Sequence, residues 1–200
     1  MAVLVAREAP DFTAEAVLAD GKIVDDFKLS SLRGKPVVLF FWPFDFTFVC
    51  PTEIIAHDHR MPEFKERGVE VVGISIDSKH THFAWRNTPV NEGGIGPVQF
   101  PIVADQSHEI CHSYDVEHPE DRAAMRASFL IDKNGIVQHQ VVNNLPLGRN
   151  VDEMLRMVDA LQFHEQHGEV CPAGWQKGDD TMQENAAAVA EYLSKNAEKL

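Results

Sequence analysis

The sequence predicts an α/β fold built on a mixed β-sheet, and three observations carry that prediction. Short apolar runs at 37–41, 69–76 and 100–104 alternate with segments of helical periodicity, the pattern of strands flanked by helices. Two turn signatures, Asp20-Gly21 and Lys133-Asn134-Gly135, join further strand-like runs into hairpins, so some neighbouring strands must be antiparallel. A length of 200 residues, with 44% hydrophobic and 24% charged content, suits one sizeable core plus an appendage.

Taken in order, Pro10-Asp11-Phe12 opens the domain and 14–29 forms a hairpin turning at Asp20-Gly21, a dipeptide that tolerates positive φ. Arg33-Gly34-Lys35-Pro36 punctuates before a buried strand, Val37-Val38-Leu39-Phe40-Phe41. A helix is expected from Glu53 to Gly68, kinked or split by Pro62, with Gly68 closing it. A central strand follows at 69–76, then a helix from Ser78 to Asn87 with the serine as cap. The glycines of 91–97 do not open a helix after a strand, so this stretch is a connection and not a phosphate cradle. A strand at 100–104, a helix near 106–114, the hairpin 127–132 with 136–142, and an amphipathic helix behind Asn150 complete the domain, read as residues 1–165. From 166 to 200 the texture changes to an irregular stretch and then an Ala/Glu-rich helix at 181–199, an extension and not a second core.

Charge and cysteine usage exclude several classes. With 18 Lys+Arg against 31 Asp+Glu, the formal net charge of −13 argues against nucleic acid and against an anionic membrane surface. The opening run Met1–Arg7 is too short for a leader peptide, and no stretch approaches the ~20 apolar residues of a membrane span, so a cytoplasmic location is expected. Cysteines at 50, 111 and 171 form no CxxC pair, which suggests neither a structural zinc nor a disulfide framework.

Cys50 lies where the strand 37–41 gives way to a helix. Unpaired N–H groups of a first helical turn carry partial positive charge and favour a thiolate. That matters because a free thiol with a pKa of about 8.5 is only a few per cent ionised at neutral pH. Pro51 suits the first turn, Thr47 offers a hydroxyl on the same loop, and Pro43 with its phenylalanine neighbours would shield the sulfur from bulk water. Position alone leaves open whether this thiol is reactive or merely packed. Cys171 shares the Val-Cys-Pro context of Cys50 but lies on the extension, so the two could meet only through folding or a second subunit.

Pro43-x-x-x-Thr47-x-x-Cys50 matches the PxxxTxxC signature of peroxiredoxins. The resemblance to typical two-cysteine peroxiredoxins, the alkyl hydroperoxide reductase C type, continues at 77–79, 84–89, Gly93-Gly94-Ile95-Gly96, 144–149 and 168–175. It implies a thioredoxin-like fold and a peroxidase acting on hydrogen peroxide and organic hydroperoxides, with peroxynitrite as a further substrate. Cys50 matches the peroxidatic cysteine, Pro43 and Thr47 the active-site loop, Arg126 the active-site arginine, and Glu53 and Arg149 the supporting charged positions. Cys171 matches the resolving cysteine, which forms an intersubunit disulfide with Cys50. Thioredoxin or a flavoprotein reductase would then restore both thiols, with no bound cofactor. The resemblance further implies a homodimer whose extension packs on the partner, and a ring of five dimers, a decamer, contacting near Phe46, Phe48, Phe83 and Trp85, four aromatics that on their own also read as core. A chaperone-like ring is the alternative role. Where oxidation-sensitive members carry a Tyr-Phe pair in the tail helix, this chain has Tyr192-Leu193.

Other patterns in the chain have ordinary structural readings. His108-Glu109-Ile110-Cys111-His112 is a literal HExxH, but the helix around it is short and no third ligand follows, so a zinc hydrolase is disfavoured. Cys111 is expected to be a buried helix residue. The pairs His57/His59 and His80/His82 are expected on solvated surface. Without the resemblance, Arg126 would be taken as a surface cation beside Asp121 and Arg122.

Overall fold

The computed structural model describes residues 3–200; Met1 and Ala2, which open the run read against a leader peptide, lie outside the described residues. The chain divides into two compact units, Met1–Val151 and Asp152–Leu200.

The first unit is a seven-stranded sheet in the order β2-β1-β5-β4-β3-β6-β7. Its strands are β1 (Thr13–Val17), β2 (Ile23–Lys28), β3 (Val37–Phe41), β4 (Glu70–Ser75), β5 (Ile102–Ala104), β6 (Arg126–Ile131) and β7 (Val137–Asn143). Pairing is parallel for β3–β4 and β4–β5 and antiparallel elsewhere. Both expected hairpins form, and their turns place Gly21 and Gly135 at φ of 83°, a conformation costly for residues with a Cβ. β3 is buried at every position, as its unbroken apolar run requires of a strand covered on both faces. Leu39 and Phe41 join Ile74, Val103, Phe129 and Tyr114 in the core on one side of the sheet. On the other side Phe40 lies against Phe100 and stacks on His57 at 4.0 Å.

The helices follow the expected order with three adjustments. The first begins at Cys50 itself, α1 (Cys50–His59), and resumes as α2 (Met61–Glu66) after Arg60, with Pro62 in the first turn of α2, where its missing N–H costs nothing. α3 (Lys79–Asn87) is capped as expected, the Ser78 hydroxyl accepting from the Thr81 N–H at 3.1 Å. α4 (Glu109–Ser113) is shorter than the expected 106–114. His108 is left-handed, at φ 63°, and the Asp105 carboxylate accepts from the N–H groups of Ile110 and Cys111, so the helix starts late.

The surface expectation for the histidines fails at two of the four positions. His57 is 1% and His82 0% exposed, whereas His59 and His80 are exposed. The i,i+2 spacing does put each pair on opposite helix faces, but one of those faces is the core.

In the second unit α5 (Val151–His167), which enters it after its first residue, leads to a turn at 172–175, an isolated bridge between Val170 and Met182, and α6 (Ala186–Asn196). The tail helix starts at 186, not 181. The Thr181 hydroxyl donates to the Glu169 carboxylate, Gln183 donates to it at 3.1 Å, and Met182 pairs with Val170, so this stretch is extended until Asn185 caps the helix. No residue of α6 is buried.

Candidate active site

The end of β3 delivers the chain into an irregular loop, 42–49, that carries Cys50 to the start of α1. The loop is pinned from beneath. Trp42 Nε1 donates to Asp45 Oδ1 at 3.0 Å, and Asp45 Oδ2 lies 2.7 Å from His82 Nδ1, with both of those side chains fully buried. The Asp45 N–H donates to Asp77 Oδ2 at 2.8 Å. Burial pushes the Asp45 carboxyl up, against the pull of His82. Above this anchor Phe46 turns left-handed at φ 51°, which throws its ring and that of Phe48 outward. Pro43 is buried, and Thr47 is half-buried with its hydroxyl donating to the Phe44 carbonyl at 2.9 Å.

Cys50 is 1% exposed. Cys50 is the first residue of α1, at the helix end where the aligned peptide dipoles are positive. β6 runs antiparallel to β3 with Ser128 opposite Phe40, so Arg126, two residues earlier, reaches the end of the sheet where the chain leaves for Cys50. Arg126 Nη1 donates to Cys50 Sγ at 3.4 Å and to Glu53 Oε2 at 2.7 Å, while its Nε donates to the Leu145 carbonyl at 2.6 Å. Arg149 grips the same glutamate: its main-chain N–H and Nε both donate to Oε1 at 2.8 Å, and Nη2 to Oε2 at 3.0 Å.

One buried carboxylate therefore fixes two buried guanidinium groups, one of which reaches the sulfur. Burial would raise the Glu53 pKa, but Arg149, followed by Arg126, holds it below its ordinary range. For Arg126 burial acts downward and is outweighed by the hydrogen bonds and charges of Cys50 and Glu53, so its pKa is raised. His57 donates Nδ1–H to the Glu53 carbonyl at 2.7 Å, and burial, reinforced by Arg149, pushes the imidazole down to about 4, so it is neutral beside the arginines.

A profile of the AhpC/TSA family matches residues 5–140. The chain belongs to the AhpC/TSA family, the peroxiredoxins. Residues 160–195 also match the C-terminal domain of 1-Cys peroxiredoxin. The chain is 59% identical over 199 residues to "Alkyl hydroperoxide reductase C" of Helicobacter pylori, covering 99% of this chain and 100% of that one. It is 50% identical over 192 residues to "Peroxiredoxin-2" of Cricetulus griseus, covering 96% of each. The crystal structure of reduced Plasmodium vivax 2-Cys peroxiredoxin superposes with a TM-score of 0.93 at 49% identity, covering 96% of this chain and all of that one. The thioredoxin-like mixed sheet expected from the sequence is the fold of this peroxiredoxin.

Of the residues singled out in the sequence, the first unit assembles Cys50, Glu53, Arg126 and Arg149 by direct hydrogen bonds, with Pro43 and Thr47 on the adjoining loop. Cys171 lies in the second unit and is half-buried. Cys111 is 0% exposed in α4, its thiol pushed up by burial and by the Asp105 carboxylate. The HExxH histidines converge on an acid outside the motif: His108 Nδ1 and His112 Nε2 each lie 2.7 Å from a Glu117 oxygen. Against burial, those two bonds hold the Glu117 carboxyl down to about 2. Among the described residues no group of three or more His, Cys, Asp or Glu is arranged to hold a metal ion.

Two contributors escaped the sequence reading. Asp45 lies inside the quoted signature without a role; its signal is a lone carboxylate in a loop whose one other polar side chain is Thr47. The Leu145 carbonyl that orients Arg126 is a main-chain atom and leaves no mark in the sequence.

Proposed function

We infer that this peroxiredoxin is a thiol-dependent peroxidase in which Cys50 attacks the peroxide. The observation that carries the reading is the Arg126 guanidinium held 3.4 Å from a buried sulfur by a carboxylate it shares with Arg149. The Cys50 thiolate forms a bond to one peroxide oxygen and the O–O bond breaks. The departing oxygen takes a proton and leaves as water or an alcohol, and the sulfur is left as a sulfenic acid. Negative charge moves from sulfur to the leaving oxygen, and a fixed, always-charged guanidinium beside both atoms stabilises it throughout. Pro43 and the Thr47 segment wall the reacting oxygens from bulk water.

Cys171 of a second copy then attacks the Cys50 sulfenic acid, giving an intersubunit disulfide. Thioredoxin or a flavoprotein reductase restores both thiols by thiol–disulfide exchange. In this reading 166–200 is the extension that packs on the partner of a homodimer. The rings of Phe46, Phe48 and Phe83, which are 50%, 92% and 42% exposed, are the surface through which five dimers close into a decamer. This reading places the protein in the cytoplasm, where thiol donors keep cysteines reduced between turnovers.

The test is peroxide consumption with hydrogen peroxide and an organic hydroperoxide, run side by side with thioredoxin and with a flavoprotein reductase. Cys50→Ser is expected to abolish turnover with both donors. Cys171→Ser is expected to retain peroxide-dependent sulfenic acid at Cys50 but to give no disulfide-linked dimer on a non-reducing gel. Turnover surviving in Cys50→Ser overturns the proposal.

A further inference from the structure

Within the second unit, the segment carrying Cys171 is docked on its own α5 at three points. Cys171 Sγ donates to the Ala160 carbonyl at 3.7 Å. The Trp175 ring, on a residue only 2% exposed, packs against Phe163 with centroids 5.2 Å apart. Arg156 Nη1 donates to the Trp175 carbonyl at 2.9 Å. Residues 156, 160 and 163 follow at helical spacings of four and three, so all three contacts fall on one face of the helix.

Arg156 is itself locked. Its Nε and Nη2 hold the two oxygens of Glu153 at 2.6 and 2.7 Å, a two-pronged ion pair that leaves Nη1 aimed at Trp175. The docked thiol faces a helix carbonyl, and burial raises its pKa against the opposing charge of Arg156. A sulfur held this way cannot reach another subunit until its segment comes off the helix.

We propose that Arg156 is a positioning residue for Cys171: braced by Glu153, it latches the 171–175 segment to α5, and opening of this latch sets the rate of disulfide formation. The proposal rests on the assignment of Cys171 as the resolving thiol. In the step concerned, the Cys171 sulfur bonds to the Cys50 sulfur and the Cys50 S–O bond breaks. The hydroxide leaves with the proton of the Cys171 thiol as water, so Cys171 is oxidised and the sulfenic sulfur reduced to one disulfide.

Arg156→Lys keeps a positive charge near Cys171 but cannot supply three fixed donors, so it separates the latch from the charge. Glu153→Gln removes the brace on a half-exposed side chain and leaves the fold intact. After one equivalent of hydrogen peroxide, rapid acid quench and non-reducing gels follow the disulfide while a sulfenic-acid probe follows Cys50. Both variants are expected to form disulfide roughly fivefold faster, the effect of one lost hydrogen bond, with sulfenic acid formation unchanged. The pH profile of the disulfide step in Arg156→Lys is expected to stay that of the wild type, which keeps the charge. Disulfide formation at or below the wild-type rate in both variants overturns the latch. Cys171→Ser run alongside separates the two claims: linked dimers persisting there sink the assignment of Cys171, whereas their loss, with no acceleration in the other variants, sinks the latch alone.

Discussion

Arg126 spends a single nitrogen, Nη1, on two acceptors, the Cys50 sulfur and Glu53. Replacing it by Met removes a charged hydrogen bond worth about 1.5–3 kcal/mol, so kcat/KM for peroxide is expected to fall about 10- to 100-fold, read by stopped flow. Glu53→Gln strips two buried guanidinium groups of their shared partner, which is expected to cost about 3–5 kcal/mol in denaturant unfolding. Because the folded pKa of Glu53 lies below its unfolded value, its stabilisation is complete above the ordinary glutamate range and is lost as pH falls through the folded value. The Gln variant is therefore expected to show a flatter loss of stability in acid than the wild type, measured by denaturant midpoints along a pH series. The place of Cys50 at a strand-to-helix junction was legible from the apolar run before it. Arg126 was not, because burial is decided by the pairing of β6 with β3, a long-range fact that its charged neighbours Asp121 and Arg122 conceal.

Elements with a continuous apolar run or a capping side chain were the readable ones: β3 is found at 37–41, and Ser78 caps α3. Ser78→Ala is expected to cost about 1 kcal/mol. The misread ends are those where a side chain from elsewhere takes over the backbone groups, Asp105 at α4 and Glu169 ahead of α6. β4 shows the same dependence on packing across the sheet. A Cβ at Gly73 would lie 2.6 Å from the Trp42 ring, so Gly73→Ala forces that ring away and is expected to cost about 1–3 kcal/mol in thermal or denaturant unfolding. Because Trp42 also holds Asp45, the same substitution is expected to slow the reaction of Cys50 with peroxide.

At the scale of the whole molecule, an acidic chain of net charge −13 carries outward aromatic rings on and around the loop that leads to Cys50. Burying one such ring in a subunit contact contributes about 1.5–3 kcal/mol, repeated at every copy of the interface. If the proposed ring of five dimers closes through this surface, Phe48→Glu is expected to shift the sedimentation profile from decamer to dimer, with no loss of fold by circular dichroism. The depth of the sulfur has a further consequence. Cys50 is 1% exposed while Cys171 is half-buried on the other unit, so the two differ as targets for synthetic chemistry. A dye-bearing maleimide added to reduced protein should mark the tail first, and an inhibitor meant for the deeper site needs a warhead carried on something as slender as the oxidant it imitates.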